Sequence, residues 1–216
     1  MNRRSAGKVR VKICGLTNPH DAEAAIALGA DALGFNLFAG SKRFISLESN
    51  ASWIRDLPPF VTKVAVLVNL PLDEALQLAR HPAIDMLQFH GDEDPAYCAE
   101  FARLGRPFIK AIRLGESTTI EDAADFSTPF LLVDANVPGA FGGTGHVIDL
   151  VLAAKFSKRH PQLSLILAGG LTSANVAEAV EAVTPYAVDV ASGVELDPRR
   201  KCPEKMRAFL EAAMPR

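Results

Sequence analysis

The sequence alternates along almost its whole length between short β-rich runs and longer stretches with the apolar spacing of helices. The predicted strands are residues 9–14, 32–38, 63–68, 86–90, 108–112, 130–134, 163–168 and 187–191. The predicted helices are residues 19–28, 48–56, 72–80, 95–104, 119–126, 147–158, 174–183 and 203–213. Because a helix between two strands carries the chain back across the sheet, this alternation predicts a parallel β-sheet.

Two features favour a closed barrel over an open sheet. Several predicted strands are almost continuously apolar, as in FLLV and LILA, which is typical of a parallel sheet covered on both faces. Eight units in 216 residues average 27 residues each, near the lower length limit of roughly 200 residues for an eightfold barrel. The alternative, an open doubly wound sheet, would be favoured by G-x-G-x-x-G after the first strand or a Walker-type G-x-x-x-x-G-K-[ST], and neither is present.

We therefore predict an α/β fold, a single (β/α)8 TIM barrel. No Pro/Gly/Ser-rich linker or block of charge divides the chain, so residues 1–216 are expected to form one domain. RRK at 199–201 is expected to be a solvated face near the start of the last helix.

Composition excludes several classes of protein. The formal net charge is -2 and there is no long basic stretch, so no nucleic-acid partner is expected. No apolar segment of about 18 residues and no signal peptide are present, so we expect no membrane partner and a cytoplasmic location. The three cysteines, Cys14, Cys98 and Cys202, lie far apart without metal-ligand spacing, which predicts neither a disulfide framework nor a zinc site.

Candidate functional residues follow predicted strands, because βα barrels build their active sites at the carboxyl ends of the strands. Cys14 ends the first strand before Gly15, whose missing side chain leaves room for a ligand, although most free cysteines are small buried hydrophobes. Asp134 ends the sixth strand before a glycine-rich loop, where a helix cap is the alternative. Arg43 lies in the loop after the second strand and can equally be a solvated basic residue. His90 ends the fourth strand, but a lone histidine is more often a hydrogen-bonded structural residue.

Three glycine segments follow the last three strands and predict a phosphate site. They are GGTG (142–145), AGGL (168–171) and ASGV (191–194). Glycines leave backbone N–H groups unblocked, and a helix that begins there adds the positive end of its dipole. The predicted phosphate ligands are Gly143, Gly145, Gly169, Gly170, Ser192 and Gly193.

These motifs resemble those of the phosphoribosylanthranilate isomerase family, and the resemblance covers nearly the whole chain. The matching segments are KICGLT (12–17), LGFNLFAGSKRFIS (33–46), LQFHG (87–91), IKAIR (109–113), LLVDANVPGAFGGTG (131–145), LAGGLTSANV (167–176) and VDVASGVE (188–195). This chain departs from the family pattern after GGTG, where it has HVIDL, and after SGVE, where it has DPRRKC.

The resemblance implies an isomerase of tryptophan biosynthesis. The reaction is an Amadori rearrangement of N-(5-phosphoribosyl)anthranilate, a small phosphosugar, to 1-(2-carboxyphenylamino)-1-deoxyribulose 5-phosphate, with no cofactor and no metal. The resemblance further implies that Cys14 is the general base, that Asp134 is the general acid and that Arg43 holds the anthranilate carboxylate. A monomer or a homodimer is compatible with the sequence.

Acid–base chemistry near neutral pH makes demands on both proposed groups. Asp134 needs a pKa raised from about 3.9, and Cys14 needs a pKa lowered from about 8.5 by a cation or a helix N-terminus. The sequence alone shows neither shift.

Three rival functions use similar barrels. An isomerase acting on the related histidine-pathway aminoaldose is expected to use two aspartates, whereas strand one here carries Cys14. Indole-glycerol-phosphate synthase would need a lysine acid and a longer N-terminus. A non-catalytic phosphosugar-binding barrel would keep the glycine segments but need neither Cys14 nor Asp134.

Overall fold

Eight parallel strands form a closed barrel in chain order, with the eighth strand paired to the first. A computed structural model describes residues 8–114, 126–135 and 148–214. The strands are β1 (Arg10–Cys14), β2 (Ala32–Asn36), β3 (Thr62–Leu67), β4 (Met86–Phe89), β5 (Phe108–Leu114), β6 (Phe130–Ala135), β7 (Ser164–Leu167) and β8 (Ala187–Val190). The predicted (β/α)8 architecture is confirmed, and each strand ends within two residues of its predicted bounds.

Helices follow most of the barrel strands. They are α1 (Pro19–Ala27), α2 (Leu47–Arg55), α3 (Leu72–Leu78), α4 (Pro95–Arg103), α5 (Leu150–Arg159), α6 (Val176–Val183) and α7 (Pro203–Ala213). The predicted helix at 119–126 lies outside the described residues apart from its last position. Among the described residues, no helix is both long and apolar enough to cross a membrane.

Local sequence signals fix where several helices begin. The side chains of Asn18, Asp94 and Asp149 each accept a hydrogen bond from the backbone N–H three residues later, which caps α1, α4 and α5. Proline at the first helical turn of α1, α4 and α7 fits the same position, because its missing N–H would be unpaired there in any case.

Strand residues alternate between two packed regions. Every second residue of a strand faces the barrel interior, and residues such as Val64, Leu132 and Ile166 pack together there. The residues between them, such as Ala65 and Val133, face outward and pack against the helices in the larger core. At the carboxyl ends of several strands the inward positions are polar, as at Asn36, His90 and Asp134, and these positions contribute to the site described below.

A short hairpin after β8 was not predicted. A single turn of 3-10 helix at Ser192–Val194 leads into two antiparallel strands, β9 (Glu195–Asp197) and β10 (Arg200–Lys201). The prediction of a solvated face for residues 199–201 is wrong for Lys201, which is only 2% exposed. Its backbone N–H donates to Asp21 of α1 at 2.8 Å, and its ammonium points toward the carboxyl end of the barrel. Three consecutive basic residues give no local sign that the last of them donates hydrogen bonds to buried acceptors.

Candidate active site

The carboxyl ends of the strands surround a cavity of about 90 Å³. The cavity brings together most of the residues that the sequence singled out. Its lining includes Cys14, Arg43, His90, Asp134, Gly169, Gly170 and Ser192, together with Asn36, Ser41 and Asp189. Gly193 is not among the lining residues, and Gly143 and Gly145 lie outside the described residues.

Cys14 lies half-buried at the end of β1, facing the cavity. The opposite position on β2 is Gly34, and a Cβ added there would lie 2.7 Å from Cys14 Sγ and 3.1 Å from Lys12 Nζ. Burial raises the pKa of the thiol, and the Asp189 carboxylate raises it further, while Lys12 and Lys201 lower it. The net direction is upward, so the expected downward shift of the Cys14 pKa is not found.

Asp134 on β6 is 8% exposed and faces the same cavity. Its Oδ1 accepts a hydrogen bond from the backbone N–H of Ala135 at 2.8 Å. Its Oδ2 lies 3.4 Å from Nε2 of His90, and Nδ1 of that ring lies 2.8 Å from Nε2 of Gln88. His90 therefore packs against the proposed acid, although the sequence favoured a structural role for it.

Arg43 lines the cavity and forms a bidentate ion pair with Glu195. Nε donates to Oε1 and Nη2 donates to Oε2, both at 2.7 Å. Burial alone would raise the pKa of the Glu195 carboxyl, but the hydrogen bond from Arg43 and the charge of Lys201 outweigh burial and lower it. The guanidinium is thereby held rigidly at the cavity wall, with its Nη1 without a hydrogen-bond partner among the described residues.

Gly15 lines the cavity next to Cys14 and also makes room for Arg43. Its φ of +76° lies in the left-handed region, and a Cβ there would lie 2.3 Å from Cδ of Arg43. The missing side chain therefore leaves space for the stem of Arg43 at the cavity wall.

The loops after β7 and β8 contact each other closely. Gly169 and Gly170 have φ of +92° and +62°, and a Cβ at Gly169 would lie 2.8 Å from the backbone nitrogen of Ala135. A Cβ at Gly193 would lie 2.0 Å from the carbonyl oxygen of Leu171, so this glycine lets the two loops pack together. Gly169, Gly170 and Ser192 line the cavity, and Gly193 follows Ser192 where the two loops meet.

Four charged residues of this region were missed by the sequence reasoning: Lys12, Asp189, Glu195 and Lys201. Lys12 donates to Asp189 at 2.8 Å, and both side chains are buried. Lys201 donates to the carbonyls of Cys14 and Ala191 and to Glu195. One signal was available: Lys12 lies two positions before Cys14 in the same strand, so both side chains face the same side.

Known proteins resemble this chain both in sequence and in structure. Residues 11–212 match the family model described as N-(5'phosphoribosyl)anthranilate (PRA) isomerase. N-(5'-phosphoribosyl)anthranilate isomerase from Thiobacillus denitrificans is 47% identical over 207 residues, which cover 95% of this chain and 98% of the relative.

Two crystal structures show the same fold. Phosphoribosyl anthranilate isomerase from Thermus thermophilus is 39% identical, with a TM-score of 0.84 and coverage of 94% of this chain and 98% of that chain. A phosphoribosyl anthranilate isomerase in complex with reduced 1-(o-carboxyphenylamino)-1-deoxyribulose 5-phosphate is 34% identical, with a TM-score of 0.81 and coverage of 95% and 98%. The similarity in sequence and in structure extends over nearly the full length of each protein.

Proposed function

Because the chain belongs to the N-(5'-phosphoribosyl)anthranilate isomerase family, we propose that it converts N-(5'-phosphoribosyl)anthranilate into 1-(2-carboxyphenylamino)-1-deoxyribulose 5-phosphate in tryptophan biosynthesis. The roles proposed for individual residues rest on one observation, the cavity that these residues share. Cys14 and Asp134, which lie on strands that are not neighbours, both line it. One acid and one base suffice for the rearrangement, and the cavity offers both.

Asp134 is the proposed general acid. It delivers a proton to the ribose ring oxygen, which opens the ring to a Schiff base. His90 supports this role, because its Nε2 lies 3.4 Å from Asp134 Oδ2. Gln88 holds the imidazole of His90 from the other side, since its Nε2 lies 2.8 Å from Nδ1 of that ring.

Cys14 is the proposed general base. It removes the C2 proton of the Schiff base, and the resulting enolamine becomes the ketone of the product. The backbone carbonyl of Cys14 accepts a hydrogen bond from Lys201 at 2.6 Å, which fixes the end of β1. Lys201 comes from DPRRKC, so one departure from the family pattern still contributes directly to the site.

Arg43 and the glycine loops are proposed to bind the two ends of the substrate. The Nη1/Nη2 edge of Arg43 is free to face the anthranilate carboxylate, because Glu195 occupies the Nε/Nη2 edge. Gly169, Gly170 and Ser192 line the cavity near β7 and β8, where barrels of this type often bind phosphate. Gly143, Gly145 and Gly193 remain proposed phosphate ligands from the sequence pattern.

The proposed function is tested by turnover. Freshly prepared N-(5'-phosphoribosyl)anthranilate is mixed with the purified protein, and the loss of anthranilate fluorescence is followed over time. Enzyme-dependent loss supports the proposal. Binding of the substrate without turnover would instead favour a non-catalytic phosphosugar-binding barrel. Turnover of only the histidine-pathway aminoaldose would favour the rival isomerase.

Replacing Arg43 with lysine should weaken binding of a carboxyphenylamino product analogue by about tenfold or more, while inorganic phosphate binding stays nearly unchanged. A lysine cannot make the paired contacts of a guanidinium with a carboxylate. Calorimetric titration of both ligands measures the difference, and Arg55→Lys, on the exposed side of α2, is the matched control. An equal loss for the two ligands would place Arg43 in the phosphate site or in the support of the fold.

A further inference from the structure

A buried ammonium lies beside the cysteine on the same strand. Lys12 and Cys14 are two positions apart on β1, and both face the barrel interior. A single point above Gly34 on β2 would contact both, at 2.7 Å from Cys14 Sγ and 3.1 Å from Lys12 Nζ. Only a glycine at this position leaves the space in which the ammonium and the thiol approach each other.

The ammonium is held in place from the other side of β1. Lys12 is paired in register with Asp189 of β8, and Nζ donates to Oδ1 at 2.8 Å. Lys12 is 3% exposed and Asp189 is 8% exposed. Burial works against the charge of Lys12, but Asp189 and Cys14 outweigh it and raise the pKa of the ammonium, so Lys12 is a permanent cation.

A permanent, desolvated cation near a thiol favours the thiolate. We propose that Lys12 is a positioning residue for the reaction, which stabilises the thiolate of Cys14 while Asp189 fixes the ammonium beside it. This inference rests on the proposed role of Cys14 as the general base. The other charged groups that act on Cys14 are Lys201 and Arg43, and each of them forms an ion pair with Glu195.

The two members of the pair act on the thiol in opposite directions. The charge of Lys12 lowers the pKa of Cys14, whereas the charge of Asp189 raises it. A purely structural ion pair would make the two single substitutions alike, since each leaves one buried charge without its partner. An electrostatic role makes them opposite in sign, and this difference is the basis of the test.

The experiment measures the rate at which iodoacetamide alkylates Cys14 as a function of pH, by mass spectrometry of the peptide that contains it. Lys12→Met should move the profile to higher pH and slow alkylation at a fixed pH by about tenfold or more, because an opposite charge within a few ångströms shifts a pKa by about 1–3 units. Asp189→Asn should move the profile to lower pH. Lys12→Arg, which keeps the positive charge, should have an alkylation profile close to that of the wild type.

Lys63→Met is the matched control. Lys63 is also a strand lysine paired with an aspartate, Asp85, but it is the second residue of β3, at the amino end of that strand. The Cys14 profile should not move in this variant. An unchanged profile in Lys12→Met, or a shift of the same sign in Lys12→Met and Asp189→Asn, would overturn the proposal.

Folding of the single variants is the main risk, because each buries an unpaired charge. If Lys12→Met does not fold, the double variant Lys12→Met/Asp189→Asn is compared with Asp189→Asn alone. The two then differ only in the ammonium, and the double variant should be alkylated at higher pH, whereas identical profiles would refute the proposal. Alkylation does not depend on turnover, so a failure of the proposed isomerase activity is recognised separately.

Discussion

Replacing Cys14 with serine is expected to lower kcat by about 10²- to 10⁴-fold, with a smaller change in KM. The hydroxyl is nearly isosteric with the thiol but far less acidic, so it cannot serve as the base that removes the C2 proton. Cys14 Sγ packs against Gly34 near the ammonium of Lys12, and replacing the sulfur by the smaller oxygen leaves no large cavity there. Steady-state kinetics on freshly prepared substrate measures the effect.

The matched control for Cys14→Ser is Cys202→Ser. Cys202 is also buried, and its Sγ contacts Oε2 of Glu204 at 3.1 Å at the start of α7, a contact that a serine hydroxyl can keep. Turnover should stay near wild type in this control. Cys14→Ser should remain folded by circular dichroism and still bind a product analogue. Near-full turnover in Cys14→Ser, or loss of activity only through unfolding, would show that the thiol is a packed structural residue.

Replacing Asp134 with asparagine is expected to lower kcat by a similar factor, about 10²- to 10⁴-fold. An amide cannot deliver a proton to the ribose ring oxygen. The asparagine oxygen can still accept the N–H of Ala135, which Oδ1 of Asp134 accepts at 2.8 Å, so the end of β6 should keep its conformation. The pre-steady-state accumulation of substrate bound without ring opening, followed by anthranilate fluorescence, checks that the acid step is the one that fails.

Asp94→Asn is the control for this carboxylate. Asp94 caps α4 by accepting the N–H of Tyr97, and asparagine is an equally good cap, so both turnover and stability should be retained. Comparable losses in the two variants would point to a general effect of removing a carboxylate. An Asp134→Asn protein with wild-type kcat would remove Asp134 from the acid role and direct attention to His90, 3.4 Å away.

The two residues of the proposed acid–base pair were easier to predict from the sequence than their surroundings. Cys14 and Asp134 stand at strand ends, and the rule that barrel sites lie at the carboxyl ends of strands is enough to put both at one mouth. The structure places both in the cavity. The upward direction of the Cys14 pKa was not foreseen, because it depends on the desolvation of the thiol and on a carboxylate 175 positions later in the chain, Asp189.

Residues that act across the barrel were the ones that the sequence could not identify. Glu195 was read only as part of a motif, yet it holds the guanidinium of Arg43 through two hydrogen bonds from 152 positions away. Lys201 was read as part of a solvated face, yet its ammonium donates to the carbonyl of Cys14. Such contacts join distant parts of the chain, and no local period or spacing encodes them.

The architecture follows from local sequence patterns, since the spacing of apolar residues in each strand and helix is a local property and an eightfold repeat leaves few ways to bury the apolar faces. The same patterns indicate which strand ends carry reactive groups. The electrostatics of the site, in contrast, depend on the closed barrel: closure brings β8 beside β1, which sets Asp189 against Lys12 and Lys12 near Cys14. In an interior with little water, charges within a few ångströms of a group raise or lower its pKa. These groups come that close to each other only when the barrel is closed.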